Sequence, residues 1–188
     1  MTKSTVVPNH SDLPPVFHVF RRANDRQTLF KTDRNYSYFL AKAVLTLEDA
    51  ADLLGYCLMP NHFHFLLTPK HPLVVPLPFN DKLMKRLPTD ELSEGFRRLL
   101  IGFSMGYNLE LGITGSRFQQ RTRCKHHYKS FHHGLRYVHN NPVKARLVEH
   151  PGEWGFSSYH EYKGHLLPED CVCNVALGKK LLAAGILE

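Results

Sequence analysis

Two histidines separated by a single phenylalanine, His62 and His64, form the first group of residues with evident chemical potential. On a β-strand, alternate side chains point to the same face, so both imidazoles would share one face and Phe63 would occupy the other. Neutral imidazole is a common ligand of divalent cations, but two imidazoles alone do not complete a metal site. The alternative is a surface strand with two unrelated histidines, in a chain that contains 13.

A tyrosine and an asparagine four residues apart, Tyr137 and Asn141, form the second group. Residues at this spacing lie one above the other on a helix, beside an apolar stripe made by Phe131, Leu135 and Val138. Next to a metal, the phenol would be a nucleophile and the carboxamide a third ligand. Alternatively, Tyr137 is an amphipathic residue at the rim of the core and Asn141 caps the helix C-terminus.

A third group is a basic segment between residues 117 and 150, which contains one acid, Glu149. Its cations are candidate contacts to a phosphate backbone: Arg117, Arg121, Arg123, Lys125, Lys129, Arg136, Lys144 and Arg146. Aromatic residues within or just after the segment are candidates for stacking on unpaired bases: Tyr128, Phe131, Trp154 and Tyr159. The alternative for such a segment is an ordinary solvated surface.

Composition limits the class of protein without choosing its partner. The chain has 188 residues, 43% of them apolar and 22% charged, and a formal net charge of +7. These values exclude a disordered polar chain and a collagen-like chain. A basic surface attracts nucleic acid, anionic lipid and acidic protein alike, so the net charge does not distinguish among them.

The location expected from the sequence is cytoplasmic, and nucleoid-associated if the basic segment binds DNA. The four cysteines are scattered, which fits a reducing compartment better than a disulfide framework. The first 15 residues lack the apolar stretch of a secretory signal. No apolar run approaches the roughly 20 residues that a membrane span needs.

Alternating strands and helices are expected to position these groups. Strands are predicted at 16–22, 54–59 and 62–68, with a possible further strand in the basic stretch 117–129. Pro60 and Asn61 predict a tight turn between the second and third strands, and hence an antiparallel hairpin. Residues 69–90 contain five prolines and predict an irregular excursion.

Helices are predicted where apolar residues recur at helical spacing: about 36–50 with Thr32 or Asp33 as cap, Asp90 or Ser93 to Leu109, 130–140 and 175–186. The antiparallel hairpin favours an α+β two-layer sandwich over a doubly wound parallel sheet. We expect a flexible N-terminus over residues 1–15 and a single domain with a C-terminal tail over 16–188.

Two stretches resemble a known family: YCLMPNHFHFLLTP at 56–69 and RYVHNNPVKARLVEHPGEWGFSSY at 136–159. Together they are similar to the REP-associated tyrosine transposases, which belong to the single-tyrosine HUH transposase superfamily. The resemblance runs from about residue 16 to about residue 162. Two departures occur, because Ala23 follows Arg22 where the family has an Arg-Gly pair, and residues 69–90 match no family motif.

The resemblance implies a ferredoxin-like sandwich with a central antiparallel sheet, and cleavage of single-stranded DNA beside a recognised hairpin. It implies that His62, His64 and Asn141 bind Mg²⁺ or Mn²⁺. Tyr137 would attack the phosphorus and form a 5′-phosphotyrosine intermediate in a monomer or homodimer. Two alternatives remain: a catalytically inactive hairpin-DNA-binding protein, and an RNA-binding regulator that uses the basic surface and the aromatic residues.

Overall fold

An antiparallel sheet of five strands forms the centre of the protein in a computed structural model, which describes residues 13–74, 83–84, 86–126 and 130–184. The strands are β1 Phe17–Arg22, β2 Ala51–Met59, β3 His62–Pro69, β4 Leu83–Met84 and β5 Arg123–His126. Their spatial order is β2-β3-β1-β5-β4. All the pairings are antiparallel, and the predicted Pro60-Asn61 turn joins β2 to β3.

Helices flank this sheet. They are α1 Asp33–Leu47, α2 Asp90–Leu111, α3 Phe131–His139, α4 Asn141–Lys144, α5 Tyr159–Lys163 and α6 Val175–Ala184. The order β1-α1-β2-β3-α2-β5, with its antiparallel sheet, confirms the predicted α+β ferredoxin-like sandwich. In the described parts of the chain, no helix is both long and apolar enough to cross a membrane.

The helix ends show where local sequence patterns were misleading. Thr32 caps α1 as predicted, but the helix begins at Asp33 rather than Tyr36. The cap of α2 is Thr89, whose hydroxyl accepts a bond from Leu92 N at 3.1 Å, and not the predicted Asp90 or Ser93. A short side chain that bonds an exposed amide of the first turn sets each start.

The helix predicted over 130–140 is present as α3 and ends before Asn141-Pro142, but a short helix that was not predicted follows it at once. Helix α3 ends at His139, and α4 then begins at Asn141 with Pro142 in its first turn. Proline is tolerated there because the first amides of a helix have no intrahelical acceptor. The two helices therefore meet at a break that places Asn141 just beyond the end of α3.

The two faces of the sheet are covered differently. Helices α1 and α2 pack over one face, where phenylalanines dominate the core: Phe39, Phe63, Phe65, Phe96 and Phe103. Helices α3 and α6 cover β2 and β3 on the other face through Leu66, Leu135, Val138 and Leu181. A strand whose two faces enter two cores cannot slip by one residue, because every side chain would change face.

The tryptophan-containing stretch 154–159 protects the edge of β2. The amide of Leu58 donates to Phe156 O at 2.9 Å, and the amide of Ser158 donates to Tyr56 O at 3.0 Å. The indole N–H of Trp154 donates to Leu58 O at 3.0 Å. These bonds satisfy backbone groups that an open sheet edge would expose.

Of the predicted flexible N-terminus 1–15, residues 1–12 lie outside the described residues.

Candidate active site

The β2–β3 hairpin places His62 and His64 on the face that α3 covers. Phe63 and Phe65, on the same strand, are fully buried under α1 and α2, which fixes the orientation of the two histidines. Their ring centroids lie 4.9 Å apart. The predicted shared face of the two imidazoles is therefore present.

His64 is oriented by a histidine from the neighbouring strand, His18. His64 Nδ1 and His18 Nε2 are 2.8 Å apart in a buried hydrogen bond. The other ring nitrogen, His64 Nε2, is buried and has no hydrogen-bond partner among the described residues. Burial lowers the pKa of His64 well below its usual range, and the nearby His18, His62 and Arg22 add to this effect. The ring is therefore neutral near pH 7, which is the form that binds a metal.

His62 is oriented by its neighbour in the turn, Asn61. His62 Nδ1 and Asn61 Oδ1 are 2.6 Å apart, and because a carbonyl oxygen only accepts, the imidazole nitrogen is the donor. The remaining nitrogen, Nε2, then carries the lone pair that could bind a cation. Burial, with a smaller contribution from Arg22, lowers the pKa of His62 to about 4.

Tyr137 lies beside this pair of histidines. Helix α3 buries Phe131, Leu135 and Val138 against the sheet, as their spacing predicted. Tyr137 follows on the adjacent face and is 41% exposed. Its ring centroid is 5.9 Å from that of His64 and 5.6 Å from that of His18. A solvent-accessible phenol and a neutral imidazole with a free ring nitrogen thus share one site.

Asn141 caps α3, which was the alternative to its predicted role as a metal ligand. Its Nδ2 donates to Tyr137 O at 2.9 Å and to Val138 O at 3.3 Å. The two bonds also fix the orientation of the amide, because Oδ1 in that position would face two carbonyl oxygens. Asn141 Oδ1, which is the amide atom that can bind a cation, takes no part in these two bonds. Capping and metal binding are therefore compatible.

The side chains at this site offer a donor set that fits a divalent cation. Among the residues that the structure describes, no group of three or more His, Cys, Asp or Glu side chains is arranged to hold a metal ion. The candidate set is instead His62, His64 and an amide oxygen of Asn141. The unpartnered, buried His64 Nε2 is the observation that favours a cation here. Imidazole and amide donors, completed by water or phosphate oxygens, suit Mn²⁺ and are acceptable to Mg²⁺.

Helix α3 is attached to the edge of the sheet through His139. His139 Nε2 lies 2.9 Å from Ser158 Oγ, which also accepts a bond from Tyr56 N at 2.9 Å. Burial, with a smaller effect of Lys163, lowers the pKa of His139 to about 4. The end of α3 and the stretch 154–159 thus meet in space, and the bond between His139 and Ser158 helps to fix α3 on the sheet.

The predicted cationic residues fall into two groups around this site. Arg123 and Lys125 on β5 pair with Phe20 and His18 and share their face, and Arg121 is exposed just before this strand. On the other side, the exposed cations belong to α3, α4 and the following turn: Arg136, Lys144 and Arg146. Lys144 Nζ lies 4.6 Å from the centroid of the Tyr137 ring.

Two of the predicted DNA contacts, Arg117 and Lys129, belong to neither of these groups. The guanidinium of Arg117 donates to the carbonyl oxygens of Thr114 and Gly115, so this side chain is engaged in its own loop. Lys129 lies outside the described residues, as does Tyr128.

The prediction that aromatic residues of this region stack on unpaired bases is wrong for some of them. Phe131 is 6% exposed and packs in the core under α3, because its position completes the apolar stripe. Trp154 packs against both cores and donates its N–H to the backbone, so its ring has a structural role. Tyr159 is half-buried, with its ring edge against His139 and His150.

Sequence reasoning missed His18 and the side-chain role of Asn61. His18 alternates with Phe20 and Arg22 on a predicted strand, but its pairing with the strand of His64 involves residues 46 positions apart. Asn61 was interpreted only as a turn former. Its position next to His62 was visible, but its bond to the ring was not.

A comparison with solved structures shows that another protein shares this fold. The chain is similar to a structure described as a REP-associated tyrosine transposase bound to a REP hairpin, with a TM-score of 0.59 over 93% of each chain. The two sequences are 17% identical, so the similarity establishes the fold alone. No protein-family model and no curated protein matches the chain.

Proposed function

We propose that this protein is a transposase-like endonuclease and strand transferase that cleaves single-stranded DNA beside a hairpin. The observation that carries the proposal is the position of Tyr137, an exposed phenol whose ring lies 5.9 Å from that of His64. A tyrosine in such a position is suited to nucleophilic attack on a phosphodiester bound between the two groups.

The residues that would hold the cation are His62, His64 and Asn141, through two Nε2 atoms and one Oδ1. When bound, Mg²⁺ or Mn²⁺ would polarise the scissile phosphate and neutralise its developing charge. His18 and Asn61 occupy the two Nδ1 atoms, and thereby keep both imidazoles in the orientation that presents Nε2.

The chemical step is a transesterification by Tyr137. Its oxygen forms a bond to phosphorus, the bond from phosphorus to the 3′ oxygen breaks, and the phenolic proton is released. The leaving 3′ oxygen takes up a proton, so the products are a 5′-phosphotyrosine and a free 3′-OH. Attack of a 3′-OH on this intermediate reverses the bond changes and releases the tyrosine. One phosphodiester is exchanged for another, so rejoining requires no ATP.

Lys144 and the flanking cations assist this step electrostatically. The ammonium group 4.6 Å from the Tyr137 ring attracts the negative charge that forms as the phenol ionises. The two cationic groups on β5 and on α3–α4 lie on either side of the site, as contacts to the phosphates that flank the scissile bond would require. The similar fold, solved with a REP hairpin, supports a hairpin as the partner.

A covalent adduct tests the proposal. Protein is incubated with Mn²⁺ and a labelled oligonucleotide that carries a hairpin and a single-stranded flank, and adducts are resolved on a denaturing gel. We expect an adduct from the wild type and none from Tyr137→Phe. Tyr38→Phe is the matched control, because Tyr38 is also 41% exposed but lies on α1, on the opposite side of the sheet.

The alternatives separate in the same experiment. An adduct that survives Tyr137→Phe overturns the nucleophile, and cleavage unaffected by EDTA overturns the metal. Binding of hairpin DNA without any adduct would identify a non-catalytic hairpin-binding protein. Tighter binding of RNA than of DNA of the same sequence would favour the RNA-binding regulator, because the 2′-OH is the group that differs.

A further inference from the structure

A cavity of about 300 Å³ at the end of β1 is lined by five arginines. They are Arg21, Arg22, Arg26, Arg121 and Arg123, with Phe20 and Gln119 completing the wall. Among the residues that the structure describes, no acidic side chain lines this cavity. We call it the arginine cleft. Arg121 and Arg123 belong to the basic segment 117–150, whereas the other three arginines lie on β1 and in the turn after it.

No ion pair among the described residues neutralises the positive charge of the arginine cleft. In the parts of the chain described, the ion pairs involve Lys70, His71, Arg97 and Arg98, and none of the five cleft arginines. Like charges gathered in one concavity repel each other, so the arrangement favours an anion as occupant. A guanidinium presents paired donors that match the oxygens of a phosphate.

Hydrogen bonds within the protein fix the wall of the arginine cleft in position. Arg21 donates through Nε to Gln119 O at 2.6 Å and through Nη1 to Thr122 Oγ1 at 3.0 Å. The turn that carries Arg26 has positive φ angles at Asp25 (50°) and Arg26 (56°), which are uncommon for residues other than glycine.

Bonds from two sides hold this turn. Asn24 N donates to Arg117 O at 3.0 Å, and Asn61 Nδ2 donates to Arg26 O at 3.3 Å. Asn61 is also the residue whose Oδ1 accepts from His62, so one side chain joins the cleft to the candidate metal site.

The arginine cleft adjoins the candidate active site. Phe20 pairs with His64 and Arg22 with His62 across the antiparallel strands β1 and β3. The ring centroid of Phe20, which is half-buried and lines the cleft, lies 5.8 Å from that of His64. A DNA strand whose scissile phosphate lay at His64 would therefore reach the cleft with its neighbouring nucleotides.

From this geometry we propose that the arginine cleft binds the backbone phosphates of the single-stranded segment next to the scissile bond. The ring of Phe20 stacks on His18 at a centroid distance of 4.8 Å, and an unpaired base added to this stack would continue it. This inference rests on the proposed function, since it assigns one part of the same DNA strand to a second site. The occupant is a flexible single strand, because the scissile bond of the proposed substrate lies in the single-stranded flank of the hairpin. The nucleotides next to that bond are therefore unpaired and can bend into the cleft.

Equilibrium binding without catalysis tests the proposal. Fluorescence anisotropy of a labelled, unstructured oligonucleotide is measured in EDTA, with full-length protein and with the variant Arg22→Gln/Arg26→Gln/Arg121→Gln. We expect binding about 100-fold weaker at about 0.1 M salt. The slope of log K against log salt should become smaller by about 2, at roughly 0.7 for each of the three lost phosphate contacts.

The control removes the same charge elsewhere. Arg34→Gln/Lys42→Gln/Arg98→Gln lies on α1 and α2, on the opposite face of the sheet, and is expected to keep nearly wild-type affinity and slope. Arg26→Gln and Arg121→Gln are also made singly, because both side chains are exposed and each variant should fold. Each is expected to bind several-fold more weakly.

Three results would overturn the inference. They are cleft variants that bind like the control, an equal loss for blunt duplex DNA, and a salt slope that does not change. The outcome is independent of the adduct experiment, because no metal and no cleavage are involved. Suppose that the wild-type protein forms no adduct, while the cleft variants bind single-stranded DNA more weakly than the wild type does. That pair of results would contradict the proposed catalysis and leave the arginine cleft as a binding site.

Discussion

His18 and His64 share a buried hydrogen bond of 2.8 Å between Nε2 and Nδ1. The bond determines which nitrogen of His64 faces the site, and it leaves Nε2 without a partner among the described residues. His62 is held in the same manner by Asn61. Both candidate ligands are therefore fixed by a second residue before any cation binds, as in many metal sites where the neighbour sets the tautomer.

Replacing His18 should weaken metal binding without removing a ligand. For His18→Ala we expect a Mn²⁺ affinity lower by about 10–100-fold, the usual cost of losing a residue that orients a ligating histidine. Electron paramagnetic resonance of free Mn²⁺ measures the affinity directly. His132→Ala, an exposed position on α3, is the control and should bind as the wild type does. Equal affinities in the two variants would mean that His18 has no orienting role.

Lys144 should affect the rate of attack more than DNA binding. Its Nζ lies 4.6 Å from the Tyr137 ring centroid, and such a contact contributes about 0.5–1 kcal/mol at exposed sites. We expect Lys144→Gln to slow adduct formation by about 2–5-fold in a single turnover at saturating DNA, because that energy corresponds to such a factor. Lys144→Arg should restore most of the rate. A change confined to the Kd for DNA would contradict a role at the tyrosine.

Gly95 should tolerate no side chain, because α1 and α2 approach closely there. A Cβ at Gly95 would lie 2.7 Å from Thr46 O, a backbone atom, and 2.9 Å from Leu47 Cδ2. We expect Gly95→Ala to lower the free energy of unfolding by about 1–3 kcal/mol, the usual cost of overpacking. Urea unfolding measures it. Gly155→Ala is the control, since an added Cβ there meets nothing within 4 Å. Equal stabilities would show that the helices can separate at no cost.

Stability should fall below neutral pH because of His139. Burial lowers its folded pKa to about 4, whereas an unfolded histidine titrates near 6.5. Between these values the unfolded chain binds more protons, so the full stability present above about pH 6.5 is lost progressively as the pH falls towards 4. One such group costs about 2 kcal/mol between about pH 7 and about pH 5.

The measurement is urea unfolding of metal-free protein at these two pH values. His139→Gln cannot titrate, so the difference between the two pH values should shrink by about 2 kcal/mol. Half-buried His62 and buried His64 also have lowered pKa values, so part of the dependence should remain in this variant. His132→Gln is the exposed control and should keep the wild-type dependence. A dependence unchanged in His139→Gln would show that His139 is not the cause.

Local patterns predicted much of the fold because they report which side of an element is apolar. The alternation around His62 and the stripe of Phe131, Leu135 and Val138 both matched buried faces in the structure. Helix starts were less predictable, since Thr89, Asp90 and Ser93 are all possible caps and their choice depends on packing. The helical turn at Asn141 was also missed, because a proline favours the end of one helix and the first turn of the next equally.

The sequence by itself determined the residues that could act and the faces on which they lie: His62 and His64 on one side of a strand, and Tyr137 beside an apolar stripe. These are consequences of periods of two and 3.6 residues, which act over a few neighbours. Only the tertiary structure decided that His18 orients His64 and that Arg22, Arg26 and Arg121 share one cleft. Those contacts join residues far apart in the chain, through strand pairing whose register depends on the packing of both sheet faces at once.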